Sequence, residues 1–357
     1  MLPSTLKGAA SALAFVVLLA GCDSGSSETA EVRVMSQNLY LGADLNTVAA
    51  EPNPQMIPVR VAQFYGAVQA TNPAERMAAI ASEIARVRPA LVGLQEVSTY
   101  YVQTPGDNLP GAPNTQATTV TYDFLDLLLD ALAAEGESYV VVSRSDNSDV
   151  ELPATANGTA FFDVRYRDAD VILARSDVST TGAVDGQFST LLTVPVGGVN
   201  QTFIRGYQSV RATVDGLSFT FFNTHLETEA AAPIQIAQGT QLRGLVDATV
   251  GPVVLVGDLN SDAGGTTTST YATITGGLTD AFGSGAGTPT CCQSPAVVNT
   301  TSEHDTRIDL ILFRGFESVG ETETLFDDPS DRTPSGRWPS DHAGVWAELV
   351  AEVSDPS

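Results

Sequence analysis

The sequence predicts an α/β protein whose strands and helices stack in layers. Short apolar and β-branched runs recur along the chain, segments with apolar residues at helical spacing fall between them, and no repeat or heptad organises the whole. Val32 to Leu39 reads as the first strand. Asn72-Pro73 introduces a helix over Ala74 to Val87, since proline fits a first turn where its missing N–H costs nothing. Ala90 to Leu94, bounded by Pro89 and Glu96, is a short buried strand. The leucines of Tyr122 to Ala134 are spaced for a helix, Tyr139 to Ser143 is β-branched, and Asp170 to Ala174 is a further apolar strand. Asp215-Gly216 supplies the turn of a hairpin whose arms are Ser209 to Val214 and Ser218 to Thr224. After a helix over Ile234 to Thr249 come three more strands, Val253 to Val256, Ile308 to Phe313 and Val345 to Val350. The stretches Gly42 to Asn72, Thr104 to Thr121 and Asp262 to Thr306 read as loops, which at that length are binding or lid elements or else disordered.

Residues 1–21 read as a processing signal rather than as part of the fold. Lys7 gives a positive start, Ala9 to Leu19 an apolar run short for a bilayer, and Leu19-Ala20-Gly21-Cys22 a small-residue cleavage site ending in cysteine. The pattern resembles the bacterial lipoprotein signal, in which the cysteine is lipidated. Residues 22–31, rich in Ser, Gly and Glu, read as a flexible tether, and 32–353 as one domain. The expectation is export, with Cys22 anchoring the domain to the periplasmic or outer surface of a bacterial membrane. Beyond residue 21 the chain holds 16 basic residues, all arginine and none in runs, against 42 acidic ones. An extended nucleic-acid footprint needs a basic stripe, so no such surface is expected. The acidity keeps the surface solvated. Cys291 and Cys292 are neighbours and can form only a small-ring disulfide or remain thiols; their spacing builds no zinc motif, and a structural role in an oxidised loop is favoured. Nothing in the sequence sets an oligomeric state.

The strand-like runs end in residues that carry chemistry: Ser36-Gln37-Asn38, Gln95-Glu96-Val97, Asn223-Thr224-His225, Gly257-Asp258-Leu259-Asn260 and finally Ser340-Asp341-His342. A sandwich of sheets delivers ligands to one rim in this way, from distant parts of the chain. A carboxylate after buried apolar residues is costly unless paired or metal-bound, which makes Glu96 a candidate ligand for Mg²⁺, a cation that prefers one or two carboxylates, water and phosphate oxygens. His342 can accept a proton from an attacking water or, when charged, stabilise a phosphoryl transition state. Asp258 and Asn260 alternate, as do Asn223 and His225, so an extended backbone points each pair to one side.

In this order the motifs resemble those of the endonuclease/exonuclease/phosphatase superfamily, whose members include deoxyribonuclease I, abasic-site endonucleases, bacterial sphingomyelinases and inositol polyphosphate phosphatases. The resemblance covers nearly the whole chain after the signal. It implies a four-layer sandwich, two mixed β-sheets flanked by helices, with the site at one rim. It also implies that Asn38 and Asp341 join Glu96 at the metal, Mg²⁺ or Mn²⁺, and that Asp309 in Arg307-Ile308-Asp309 orients His342. Asp258 would orient or deprotonate the water, and Asn260, His225 and Asn223 would contact the phosphate. The family's phosphate-holding Tyr or Arg has only loose counterparts, Tyr166, Arg165, Arg167 and Asp170, and His304 lies in a loop. The implied activity is metal-dependent hydrolysis of a phosphodiester or phosphomonoester. Small-molecule or phospholipid head-group substrates are slightly favoured by the lack of basic runs, with a secreted DNase-type endonuclease and an inert binding protein on the same scaffold as the alternatives.

Overall fold

A computed structural model describes residues 28–353, apart from 110, 197, 198 and 286. Two sheets are built from strands whose side chains alternate between two apolar surroundings. The larger sheet runs β15 (Ser318–Leu325), β16 (Gly344–Val353), β1 (Glu28–Asn38), β2 (Leu91–Gln95), β6 (Phe162–Arg175), β3 (Thr99–Gln103) and β4 (Thr119–Asp123), with β5 (Tyr139–Ala154) also paired to β6. The second runs β13 (Thr279–Asp280), β14 (Asp309–Arg314), β12 (Val253–Asp258), β11 (Leu217–His225), β10 (Gly206–Val214) and β7 (Ser179–Gln187), and β8 (Leu192–Val196) and β9 (Val199–Phe203) form a separate hairpin. The helices are α1 (Asn46–Ala49), α2 (Ile57–Ala70), α3 (Pro73–Val87), α4 (Phe124–Ala134), α5 (Ala232–Ala248) and α6 (Thr270–Thr275). Among the described residues no helix is long and apolar enough to cross a membrane.

Alternation explains the layering. In β1, Val32 and Val34 face Val254 and Val256 of β12 across the sheet interface, while Met35 joins the helical side with Ile80, Ile84 and Leu128. In β12, Val253 and Leu255 turn the other way, onto Leu242 and Val246 of α5. The result is helix, sheet, sheet, helix, the four-layer architecture expected. The sheets come close at Gly93, where an added Cβ would lie 2.4 Å from a methyl of Val256.

The expected elements are present with shifted ends, and four expectations change. β1 begins at Glu28, so residues 28–31 are strand rather than tether, laddered against β16 from the pair Glu28–Val353. The stretch Gly42 to Asn72 contains α2, Asp262 to Thr306 contains α6 and β13, and β5 and β6 are far longer than their apolar centres. The signal and Cys22 lie outside the described residues.

Candidate active site

Register brings the strand ends to one rim. β1 and β2 are parallel with Asn38 opposite Gln95, so Asn38 and Glu96 leave the sheet side by side. β11 and β12 are parallel with His225 opposite Asp258, and antiparallel β14 sets Asp309 opposite Asp258. Gly257 allows that closing rung: its φ is 146°, and a Cβ there would lie 2.1 Å from the Thr224 carbonyl oxygen. Three residues at the rim, Tyr40, Glu96 and Asn260, take left-handed backbone with φ of 58°, 53° and 49°. Such conformations cost a non-glycine residue about 1–3 kcal/mol and cluster where geometry serves function.

Hydrogen bonds lock the metal-side residues. The Asn38 amide donates to Glu96 Oε1 (3.2 Å) and Asp258 Oδ2 (3.1 Å), and the Leu41 N–H donates to Glu96 Oε2 (2.7 Å). Ser340 Oγ donates to the Asn38 carbonyl (2.7 Å) and accepts from the His342 N–H (3.1 Å), tying the first rim segment to the last. Behind them Arg76 is wholly buried, donating to the carbonyls of Pro339 (2.9 Å), Tyr40 (2.7 Å) and Leu39. Burial draws its pKa down to about 10.

The proton-handling groups sit together. His342 Nδ1 lies 2.9 Å from Asp309 Oδ2, and its Nε2 lies 3.8 Å from Asp258 Oδ2. Burial alone would depress the imidazolium, but the carboxylates of Asp309, Asp258 and Asp341 outweigh it and hold the pKa well above the usual histidine value. Burial pushes Asp258 up to about 7, partly offset by His342. His225 goes the other way, held neutral by burial and by Arg205. Arg205 Nη1 stands 2.8 Å from His225 Nδ1, and because a guanidinium only donates, Nδ1 must accept. The proton of His225 is therefore on Nε2, which faces Asp258 Oδ2 at 3.4 Å.

A divalent ion fits the residues on the metal side. Asp341 Oδ1 is buried with no hydrogen-bond partner, and burial, eased by His342, raises its carboxyl to about 7. With Glu96 and the Asn38 amide it makes an oxygen-donor set of the type hard cations take. Asp258, Asp309 and His342 also have ligand atoms within 4.8 Å of one another; His342 Nδ1 is hydrogen-bonded to Asp309 at 2.9 Å, while Asp258 stands 3.8 Å from Nε2.

The structure does not bring every expected residue to the rim. Asn223 lies between the sheets, its amide donating to the Leu94 and Val171 carbonyls and Gln208 while its oxygen accepts from Gln95, so it staples the layers. Arg165 pairs with Asp149 at 2.6 Å, on the face of β6 opposite Tyr166, and Arg167 pairs with Asp146. Tyr166 packs against Tyr100 beside the site, and Asp170 is buried with Asp168, both bridged by the Asn147 amide. Asn260 donates to the Leu226 carbonyl (3.0 Å) and stays half-buried. His304 Nε2 lies 3.2 Å from the Asp341 carbonyl, and burial brings its pKa to about 4. Arg205, Asp168 and Arg76 were not singled out from sequence, since only their partners mark them. Cys291 and Cys292 form a disulfide, and the Cys291 sulfur is 3.7 Å from His342 Nε2.

Against known families, residues 35–342 match the model of the endonuclease/exonuclease/phosphatase family. The chain belongs to that family. A family protein from Leptotrichia buccalis is 16% identical with a TM-score of 0.55, over 89% of this chain and 99% of that one. One from Bacteroides thetaiotaomicron is 17% identical, TM-score 0.52, over 93% and 100%, and truncated TDP2 from Caenorhabditis elegans is 19% identical, TM-score 0.50, over 90% and 98%. At these identities the likeness is one of fold. No curated protein sequence matches the chain. As a member of the endonuclease/exonuclease/phosphatase family it is a hydrolase acting on phosphoester bonds.

Proposed function

We propose that the protein hydrolyses a phosphodiester or phosphomonoester with Mg²⁺ or Mn²⁺ bound at Glu96, Asn38 and Asp341. One observation carries this reading: a charged His342 paired to Asp309 and a neutral His225 both face Asp258 beside the Asn38–Glu96 contact. When bound, the ion would supply positive charge to the phosphoryl oxygens. Asp258, with a pKa near 7, is suited to take the proton of the attacking water near neutrality. His342, kept protonated by Asp309, offers Nε2–H to the charge that develops on phosphate, and His225 offers a neutral donor beside it. Asn260 keeps one amide hydrogen for a phosphate oxygen.

A small-molecule or phospholipid head-group ester is the favoured substrate. Its support is the scarcity of free positive charge: Arg33, Arg60, Arg86, Arg165 and Arg243 each pair with an acid. The enzyme is further proposed to be exported and lipid-anchored through Cys22, on the Leu19-Ala20-Gly21-Cys22 signal. Release of p-nitrophenol from bis(p-nitrophenyl) phosphate and from p-nitrophenyl phosphate, with and without chelator, tests the chemistry. Turnover unaffected by excess chelator would remove the metal, and plasmid cleavage outpacing every small ester would move the substrate to DNA.

A further inference from the structure

Beside the rim lies an apolar pocket of about 80 Å³ that the hydrolytic groups do not use. Leu45, Val48, Val61, Phe64, Tyr166 and Phe203 make up much of its wall. Its walls continue segments that hold the site. Leu45 follows closely on Leu41, whose N–H binds Glu96. Tyr166 is two residues from Asp168 on the same face of β6, about 7 Å along the strand. Between Asp168 and Asp170, the Ala169 carbonyl accepts the N–H of Val97, next to Glu96. Phe203 is two residues from Arg205, the partner of His225, and Ser148 of the pocket follows Asn147, whose amide bridges Asp168 and Asp170. Segments from four parts of the chain thus join the wall of one apolar space to residues that surround the catalytic groups.

We infer that this pocket seats a short unbranched alkyl group esterified to the substrate phosphate, making the preferred substrate an alkyl phosphodiester. This rests on the phosphoester hydrolysis proposed above. The wall carries no charged group, so a sugar or a charged head group would lose water there without regaining partners. Ring systems are disfavoured by size, since an apolar cavity that takes benzene measures about 150 Å³. A chain fits, and each methylene taken from water should raise kcat/KM about fourfold.

The test is a series of p-nitrophenyl alkyl phosphates, methyl through hexyl, assayed with Mg²⁺. Hydrolysis adds the water oxygen to phosphorus and breaks the bond to the p-nitrophenolate oxygen, so the alkyl ester remains in the pocket as the leaving group departs. The expected result is a rise with chain length that levels off once the pocket is full. Ala49→Trp on α1 and Gln201→Trp on β9, which add bulk to the pocket from two different elements, should each bring the hexyl-to-methyl ratio close to one; the second guards against misfolding of the first. Binding of alkylphosphonates by calorimetry gives the same comparison without turnover. Hydrolysis with no chain-length dependence would overturn the pocket assignment and leave the phosphoesterase reading intact. Preference for a benzyl over a butyl ester would also overturn it. If no ester is hydrolysed, the phosphoesterase reading fails, and flat phosphonate affinities would then reject the pocket independently.

Discussion

Changing Asp309 to asparagine keeps the shape of the His342 pair and removes its charge. The two side chains meet at 2.9 Å with Asp309 fully buried and His342 6% exposed, so water screens little of their attraction. A hydrogen bond to a charged group is worth about 1.5–3 kcal/mol, which predicts a fall in kcat of roughly 10- to 150-fold if the imidazolium acts mainly in the transition state. His342→Ala deletes the group itself and should cost about 10²–10⁴. Because the two act as one unit, the double variant should fall little below His342→Ala alone. Asp309 is among the charges that keep His342 protonated, so Asp309→Asn should also move the alkaline limb of the pH profile to lower pH. Stopped-time release of p-nitrophenol, with thermal unfolding as a check on the fold, measures all of these. Additive losses in the double variant, or near-normal turnover in His342→Ala, would show that the pair is structural.

Chelation should abolish hydrolysis, Mg²⁺ or Mn²⁺ should restore it, and Glu96→Gln should lower turnover by orders of magnitude, because the cation loses an anionic ligand. Burial, eased by His342, raises the Asp341 carboxyl to about 7, and as a ligand it would bind metal in its ionised form. Mg²⁺ affinity measured by calorimetry should therefore rise about tenfold per pH unit below that value and level off above it; a pH-independent affinity would exclude Asp341 as a ligand. Cys22→Ser should shift the protein from the membrane fraction to a soluble or unprocessed form, and a wild type already soluble after export would refute the anchor. Arg76→Met should destabilise by about 3 kcal/mol or more in urea, since the carbonyls of Leu39, Tyr40 and Pro339 lose their buried donor.

The rim was legible because each strand changes character sharply at its end, as Val253 to Val256 gives way to Asp258, and because Asn38, Glu96, Asp258, Asp309 and His342 follow one order. Asn223 carries the same signature, yet its amide is consumed between the sheets; a polar residue at a strand end reads alike whether it faces a cleft or another layer. Arg205 and Asp168 have no local signal, since what matters is His225 and Asn147 reaching them from other strands. α2 was hidden by Pro58, Gly66 and an apolar pattern too spread to mark one face, although Phe64 and Tyr65 at its centre pack on Tyr100 and Phe162. The outer halves of β5 and β6 interleave charged residues, such as the paired Arg165 and Asp149, with apolar ones such as Val150 and Val164, so no continuous apolar run marked the long hairpin.

β1 sets the end of the domain from which the chain runs toward its N-terminus. Its 11 residues run from Glu28, where the chain leaves toward its N-terminus, to Asn38 at the rim, a distance of about 33 Å at the usual rise of an extended strand. If Cys22 carries the proposed lipid, the surface that holds it lies behind the enzyme and the site opens outward into the aqueous phase. Esters diffusing in from solution would then meet the site directly. A phospholipid in the same bilayer would reach it only if the molecule lay on its side, so delivery from water is the route that the orientation of this one strand favours.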